Sequence, residues 1–179
     1  MSGFVSIEVK GLSELKNRLA LLPQAIQTKI MKGMVASGAA VIKNEAILRA
    51  PYYTGDVQKG HPPPGTLKAA IFQARIVAQS VGTREVWLVS ARKGKASKGG
   101  MDAYYATWVE YGHYSRGPSG RSSSERKQLS AGSSVPLGSY YILPKPFMRP
   151  AFEVKKQEAI EVMRKYMADK LPEAIESTK

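Results

Sequence analysis

The residues that could support catalysis or metal binding are few and scattered. The 179-residue sequence has no Cys and two His, His61 and His113, so a zinc centre would have to rely on carboxylates. Both imidazoles stand beside turn residues, and neither has the spacing of a metal-binding helix, a setting typical of solvated loop histidines. Nucleophilic catalysis needs a nucleophile beside a base, and the pattern offers none. We therefore expect no enzyme, no metal site and no cofactor.

The remaining candidates for chemistry are one carboxylate and one basic segment. Glu110 is the acid in an aromatic setting, between Val109 and Tyr111. Two interpretations stay open: a functional acid with a perturbed pKa, or a partner for a nearby Arg or a backbone donor. The Lys- and Gly-rich segment 92–100 has no GxxxxGK[ST] pattern, and no GxGxxG follows a predicted strand. A nucleotide would thus lack its phosphate-binding loop.

The chain is strongly basic, and its charge is concentrated in the middle. Lys and Arg number 27 against 14 Asp and Glu, a net charge of +13, and residues 57–152 hold 14 basic and 4 acidic groups. Most of the excess lies in two Gly- and Ser-containing segments, which include Arg92, Lys93, Lys95, Lys98, Arg116 and Arg121. Such loops either keep a protein in solution or contact an anionic neighbour, which would be nucleic acid, an acidic protein surface or a membrane face.

The first part of the chain is predicted to form a strand and two helices. Residues 4–10 alternate apolar and polar side chains as in a half-buried strand, and a short helix is predicted over 13–22. The longest predicted helix covers 24–49, with an apolar stripe of Ile26, Ile30, Met34, Val41, Ile42 and Ala46. Gly33 and Gly38 leave its middle thin, which favours close approach to a sheet or another helix at a cost of up to about 1 kcal/mol per Gly.

The rest of the chain is predicted to form a hairpin, a short helix, a strand and a closing helix. Residues 71–78 and 84–90 carry β-branched and aromatic side chains on either side of a short Gly-containing gap. The run 104–112 fits both periods, and we favour a short helix capped by Gly112 over a strand. A last short strand is predicted at 140–143. The closing helix is predicted over 151–171, ended by Pro172, with an apolar stripe of Val154, Ile160, Met163 and Met167.

Together these elements predict an α+β fold in a single domain over 1–179. A small antiparallel sheet of about four strands should pack against the long helix of the N-terminal half and the C-terminal helix. Flexible insertions are predicted at 51–66, 92–100 and 115–139, from their Pro, Gly, Lys and Ser content. The sequence has no apolar stretch near 18 residues and no secretory signal pattern, so we expect a soluble protein made in a reducing cytoplasm.

Two short motifs carry a resemblance to a known family. Residues 105–112 have the sequence Tyr-Ala-Thr-Trp-Val-Glu-Tyr-Gly, and residues 145–151 have Lys-Pro-Phe-Met-Arg-Pro-Ala. They resemble the YA-x-[aromatic]-VE-[aromatic]-G and PF-x-RPA signatures of the gene-product-ten-like head-tail joining, or tail-completion, proteins of long-tailed bacteriophages. The order of parts agrees along nearly the whole chain. Two departures are a Pro-rich insert that splits the usual Thr-Gly-x-Leu turn and a longer Ser-rich stretch at 115–139.

The resemblance implies a structural virion protein without catalysis. It implies a ring, expected to be hexameric, in the neck around the DNA channel, so the chain would be found in the virion tail after assembly in the host cytoplasm. The implied partners are other copies of the chain, tail terminator or tail-tube proteins, and head-completion or connector proteins, with non-specific contact to packaged DNA and no membrane. Such a ring is heterologous, because each subunit offers one surface to a different surface of the next.

The residues of the two motifs are the candidates for a partner interface: Tyr105, Trp108, Glu110, Tyr111, Gly112, Pro146, Phe147, Arg149 and Pro150. Aromatic side chains and Arg are the groups that dominate protein interfaces. Two alternatives remain open for Phe147, which would either anchor a partner or fill the core of its own domain. The same alternatives apply to Tyr105 and Trp108.

Arg149 and Glu110 are predicted to form an ion pair between the motifs. Pro150, near the first helical position, should hold Arg149 in an extended conformation and direct its guanidinium away from the helix. A pair with Glu110 would explain why both motifs occur in one sequence.

The basic residues provide the alternative function. Arg92, Lys93, Lys95, Lys98, Arg116 and Arg121 are the candidates for lining a DNA channel or binding an acidic partner. Lys residues spaced by Gly suit sliding, salt-sensitive phosphate contacts. The rival hypothesis is therefore a free-standing, non-specific nucleic-acid-binding protein. A peripheral membrane protein is disfavoured, because helix 24–49 has a Gly- and Ala-thinned face without aromatic residues.

Overall fold

The computed structural model describes residues 24–54, 62–81, 84–94, 102–115 and 140–176. The helices in these ranges are α1 (Gln24–Arg49), α2 (Thr66–Ala70), α3 (Ala106–Tyr111) and α4 (Met148–Glu176), with a 3-10 helix at Val77–Gln79. The strands are β1 (Ile71–Arg75), β2 (Trp87–Ala91), β3 (His113–Ser115) and β4 (Tyr140–Ile142). The strand and helix predicted within the first 23 residues lie outside the described residues.

The α+β prediction is confirmed, but the described strands form two small antiparallel sheets instead of one. β1 pairs with β2, and β3 pairs with β4 in the register His113↔Ile142, Tyr114↔Tyr141 and Ser115↔Tyr140. The first strand of the predicted hairpin was expected to cover 71–78, yet β1 ends at Arg75. The chain there turns into the 3-10 helix, in which the Gln79 N–H donates to the Ile76 carbonyl.

The residues of the described ranges fall into two compact units, and both long helices contribute to each. The first unit contains 24–41, 74–88 and 157–176. Its core is formed by Ile30, Met167, Leu171 and Ala174, with Ile26 and Met34 packed against them. Gly33 faces Tyr166, and Gly38 faces Met163 so closely that an added Cβ would overlap either side chain. The predicted close approach to the thin middle of α1 is therefore confirmed, and the neighbouring element is a helix.

An ion pair joins the two ends of the segment 74–88 of the first unit. Arg75 Nε donates to Glu85 Oε1 at 2.6 Å, and Arg75 Nη2 donates to Oε2 at 2.9 Å. The indole N–H of Trp87 adds a third hydrogen bond to the same carboxylate at 3.0 Å. The hydrogen bond from Arg75 therefore holds the pKa of Glu85 below its ordinary value, against the opposing effect of burial.

The C-terminal helix differs from its prediction at both ends. α4 has 29 residues and is longer than α1, which has 26, so α1 is not the longest helix. Pro172 lies inside α4 and does not end it. Leu171 and Ala174 on either side of the proline are buried, and their burial keeps the last turn helical although the proline donates no N–H. Val154, predicted to be on the apolar stripe, is 58% exposed.

The second unit contains 42–73 and 89–156 in their described parts. Its core consists mainly of alanines around one large side chain, and its buried members are Ala46, Ala50, Leu67, Ala70, Ile71, Ala103, Ala106, Phe147 and Ala151. Small residues let the end of α1, the start of β1, α3 and the start of α4 approach closely around Phe147. No helix of the described ranges is long and apolar enough to cross a membrane.

Helix α2 was not predicted, because its five residues stand next to the Pro-rich segment. The Thr66 hydroxyl donates to the Pro63 carbonyl at 2.6 Å, and this hydrogen bond stabilises the turn that begins the helix. Gly65 precedes it with φ 84°, and this left-handed conformation favours glycine. Thr66, Leu67 and Ala70 are buried, so burial stabilises a helix that is too short to be stable by itself.

Candidate protein-interaction site

Helix α3 presents one buried face and one exposed face. Ala106 and Glu110 are buried, and their i,i+4 spacing places them on the same side of the helix. Trp108 and Tyr111 are 48% and 57% exposed. The favoured prediction of a short helix at this place, rather than a strand, is confirmed.

Glu110 accepts hydrogen bonds from three consecutive backbone N–H groups of the second motif. Oε2 accepts from Phe147 N at 2.7 Å and from Met148 N at 3.0 Å, and Oε1 accepts from Arg149 N at 3.1 Å. The residue is 4% exposed. A carboxylate buried to this extent is stable only when hydrogen bonds or an opposite charge compensate its lost hydration.

These hydrogen bonds complete the N-terminus of α4. The first N–H groups of a helix have no acceptor within the helix. Here Glu110 accepts from Met148 and Arg149, Pro150 has no N–H to satisfy, and Ala151 N donates to the Phe147 carbonyl at 3.2 Å. The negative charge also interacts favourably with the positive end of the helix dipole. Glu110 thus acts as an N-terminal cap supplied by another helix.

The predicted pair between Arg149 and Glu110 is confirmed. Arg149 Nε lies 3.2 Å from Glu110 Oε1, and Arg149 Nη2 donates to the Glu110 carbonyl at 3.4 Å. The conformation predicted for Arg149 is wrong, because the residue lies within the first turn of α4 and is not extended. The preference of a residue before proline for extended structure is overcome by the capping bonds. The guanidinium also stacks over the Tyr111 ring, 4.7 Å from its centroid.

Two carbonyls at the C-terminal end of α3 accept hydrogen bonds from residues 141–145, the segment that precedes α4. Lys145 N donates to the Val109 carbonyl at 2.8 Å, and the Tyr141 hydroxyl donates to the Tyr111 carbonyl at 3.0 Å. Gly112 follows with φ 76°, as predicted for the residue that ends the helix. A Cβ at Gly112 would overlap the Tyr141 side chain and the Ile142 carbonyl oxygen. The first motif and the segment 141–149 therefore hold each other through the C-terminal turn of α3 and the start of α4.

Glu110 is an acceptor in this arrangement and not a proton donor. Burial raises the pKa of Glu110, but the N–H groups of Phe147, Met148 and Arg149 and the Arg149 guanidinium outweigh it and leave the pKa below its ordinary value of 4.5. The carboxyl is therefore ionised at neutral pH. Of the two interpretations open from the sequence, the partner of an Arg and of backbone donors is confirmed.

The other motif candidates divide between the core and the surface. Phe147 is 1% exposed, so its core alternative is confirmed and its side chain is not available to a partner. Tyr105 packs against the same core as a half-buried residue, and burial raises the pKa of its phenol. Pro146 is exposed, whereas Gly112 and Pro150 are half-buried.

Exposed aromatic rings cluster around α3 and the β3–β4 hairpin. We call this the aromatic surface, and it consists of Tyr104, Trp108, Tyr111, Tyr114 and Tyr141. Each of these side chains is between 45% and 57% exposed. Trp108 contacts the edge of Tyr104, with 5.6 Å between centroids, and stacks on His113 at 5.4 Å. Exposed apolar side chains that lie together are typical of interaction sites.

A groove of about 400 Å³ opens beside the aromatic surface. Its walls come from 51–53, 62–67, 104–109 and 142–145, with His113 at one side. Most of the described lining residues are Tyr, Trp, Pro, Leu, Ile or Val, and Lys145 is the one among them that is Lys, Arg, Asp or Glu. The motifs predicted Tyr105 and Trp108, whereas Tyr52, Tyr53, Pro62 and Leu143 were missed. The signal for Tyr52, Tyr53 and Pro62 was the Tyr and Pro content of a segment interpreted only as a loop, whereas Leu143 belonged to the strand predicted at 140–143.

Two of the six basic candidates lie in the described residues, and both contact their own chain. Arg92 stacks over the Phe72 ring at 5.4 Å, and Lys93 Nζ donates to the Thr107 hydroxyl at 2.9 Å. Close by, Gly94 N donates to Asp102 Oδ1 at 2.8 Å. Lys95, Lys98, Arg116 and Arg121 lie outside the described residues.

Within the described ranges, no three His, Asp or Glu side chains come together as a metal-binding group. Comparison of the chain with models of protein families, with curated proteins and with solved structures finds no match.

Proposed function

We propose that this chain is a structural virion protein of a tailed bacteriophage, a tail-completion or head-tail joining component that forms an oligomeric ring in the neck around the DNA channel. The observation that carries the proposal is the joint packing of the two motifs on which the resemblance rests. Glu110 of the first motif binds three backbone N–H groups and the guanidinium of the second. Both motifs thereby have a structural explanation that requires no catalysis.

The aromatic surface supports a role in assembly. The first motif buries Glu110 and Ala106 and turns Trp108 and Tyr111 outward. The exposed rings lie next to the Arg149 guanidinium, and Lys145 lines the groove beside them. Large apolar side chains beside Arg149 are the groups that contribute most to protein interfaces. In a heterologous ring they would face a different surface of the next subunit or of an adjoining ring.

The test is electron microscopy of particles from a virus whose copy of this gene carries an early stop codon. The expected result is full heads and separate tails that accumulate side by side. Purified protein added to that extract should restore attachment. Normally joined particles would overturn the proposal.

The alternative, a non-specific nucleic-acid-binding protein, is supported by the net charge of +13. Arg92 and Lys93 weaken the alternative, because each contacts its own chain. Fluorescence anisotropy with a labelled duplex at low and moderate salt tests the alternative. A coating protein should bind tightly at low salt and lose affinity steeply as salt rises, since phosphate contacts release counterions. Absence of binding at low salt would remove the alternative.

A further inference from the structure

The groove described above has the chemistry of a peptide-binding site. Its volume of about 400 Å³ lies within the roughly 300–1,000 Å³ of ligand clefts. Trp108 and Tyr104 stand with their rings nearly perpendicular, at 87°, so that together they form a corner and not a flat platform. Proline-rich peptides bind to grooves lined by aromatic rings, because the polyproline helix loses little entropy on binding and fits between ring faces.

The charge of the groove restricts the ligand further. Among the described residues that line the groove, Lys145 carries a positive charge and none is Asp or Glu. The nearest carboxylate of the motifs, Glu110, is buried and engaged by Phe147, Met148 and Arg149. A ligand that combines an apolar body with one carboxylate would therefore be complementary, and a cationic ligand would be repelled.

The geometry points to an extended, proline-containing peptide segment of a partner protein as the occupant of this groove, with an acidic residue of the peptide beside Lys145. A nucleic acid fits less well, because successive phosphates need several cations along the path and the described lining supplies Lys145 alone. This inference goes beyond the neck assignment and does not depend on it, since a peptide groove can serve a protein in any assembly.

The probe is a labelled twelve-residue peptide that repeats Pro-Pro-Leu-Pro-Pro-Glu, measured by fluorescence anisotropy with the full chain. A second peptide has Lys in place of Glu, and a third has Gly and Ser in place of Pro and Leu. We expect the first to bind, the second to bind about tenfold more weakly, and the third to show no binding. Absence of binding by the first peptide at millimolar concentration would overturn the inference.

Three variants test which side chains carry the binding. Trp108→Ala should weaken binding about thirtyfold, the effect of losing a central aromatic contact. Lys145→Glu should reverse the preference, so that the Lys peptide binds more tightly than the Glu peptide. Leu48→Ala is the control, because Leu48 is 73% exposed on α1 and belongs neither to the groove nor to the aromatic surface, and this variant should bind like the unaltered chain.

Other occupants give distinguishable results. If Trp108→Ala dissolves an oligomer seen by sedimentation without peptide, the groove holds a second copy of the chain and the peptide inference is wrong. If oligothymidylate binds more tightly than the Glu peptide and Trp108→Ala abolishes its binding, the groove is a nucleic-acid site. A circular dichroism spectrum unchanged by each variant ensures that lost binding reports the groove and not unfolding.

Discussion

Glu110 satisfies donors that lie 37 to 39 positions further along the chain. A helix is usually capped by a side chain adjacent to its own first turn, whereas the N-terminus of α4 depends on a residue of another helix. One carboxylate thereby connects the local structure of α4 to the tertiary structure of the second unit.

Replacing Glu110 with Gln should destabilise the protein by about 3 kcal/mol, because an amide has one acceptor oxygen and would direct its N–H₂ group at backbone donors. Urea denaturation at pH 7 measures the change. Glu153→Gln is the control, since the Glu153 side chain is 53% exposed in its pair with Lys156, and it should change stability by less than about 0.5 kcal/mol. Equal effects of the two variants would contradict the capping role.

The depressed pKa of Glu110 makes its contribution depend on pH. In the folded state the pKa lies below its value of 4.5 in the unfolded chain, so between the two values the unfolded state binds more protons. The stabilisation is complete above the unfolded value and is lost as the pH falls through the folded one. The difference in unfolding free energy between the unaltered chain and Glu110→Gln should therefore narrow from pH 7 towards pH 3. A difference that stays constant over this range would contradict the assignment.

The ion pair of this site was predictable from sequence, and the capping bonds were not. Glu110 and Arg149 are opposite charges in the two motifs, which was enough to propose their pairing. Glu110 can accept from three backbone N–H groups only because α4 begins at Met148. The sequence predicted that this helix begins at Ala151. The burial of Phe147 was one of two open alternatives, because a Pro-flanked aromatic can face either way until its neighbours are known.

At the scale of elements, the contact between α1 and α4 within the first unit depends on the absence of a side chain. Gly33 lies against the Tyr166 ring, which is rigid and cannot shift as a flexible chain would. Alanine at this place would gain up to about 1 kcal/mol of helix propensity but would force the ring aside, an overpacking cost of about 1–3 kcal/mol.

Gly33→Ala should therefore destabilise the protein by up to about 2 kcal/mol in urea denaturation. Tyr166→Leu in the same chain removes the ring and should recover most of the loss. The double-variant cycle measures the coupling between the two positions. If Gly33→Ala stabilises the protein, or if the effects of the two changes add, the two side chains do not compete for the same space.

Elements with a strong local signal were predicted, and those that depend on distant partners were not. The bounds of α1 and the position of the β1–β2 hairpin follow from periodicity, β-branched residues and the prolines around them. β3 has only three residues after Gly112, too few to show an alternating pattern of apolar and polar side chains. Its partner strand is distant in sequence, since Tyr141, which pairs with Tyr114, lies 27 positions later. The division of the strands into two sheets follows from that distant pairing, so the single sheet inferred from sequence was wrong.

At the scale of the whole molecule, we expect the Tyr111 side chain to be required for particle assembly but to contribute little to folding. Its ring is 57% exposed, and its described contact is the Arg149 guanidinium. An exposed cation–π pair is worth about 0.5–1 kcal/mol, so Tyr111→Ala should cost no more than about 1 kcal/mol of stability.

The same variant should sharply reduce the yield of joined particles when it complements the stop-codon virus, because it removes an aromatic group from the aromatic surface. Leu48→Ala is the control, since Leu48 is 73% exposed on α1 and lies outside that surface. An unaltered yield with Tyr111→Ala would show that this ring makes no essential contact in the particle.

The cap that Glu110 places on α4 also determines how the chain exchanges its amide hydrogens with heavy water. The first amides of a helix ordinarily exchange at nearly the rate of an unstructured peptide, since no carbonyl protects them. Here Phe147, Met148 and Arg149 donate to a buried carboxylate, so their exchange requires the contact between α3 and α4 to open. Slow exchange at these three amides would therefore report the free energy of that opening, and any partner that binds across α3 would slow it further.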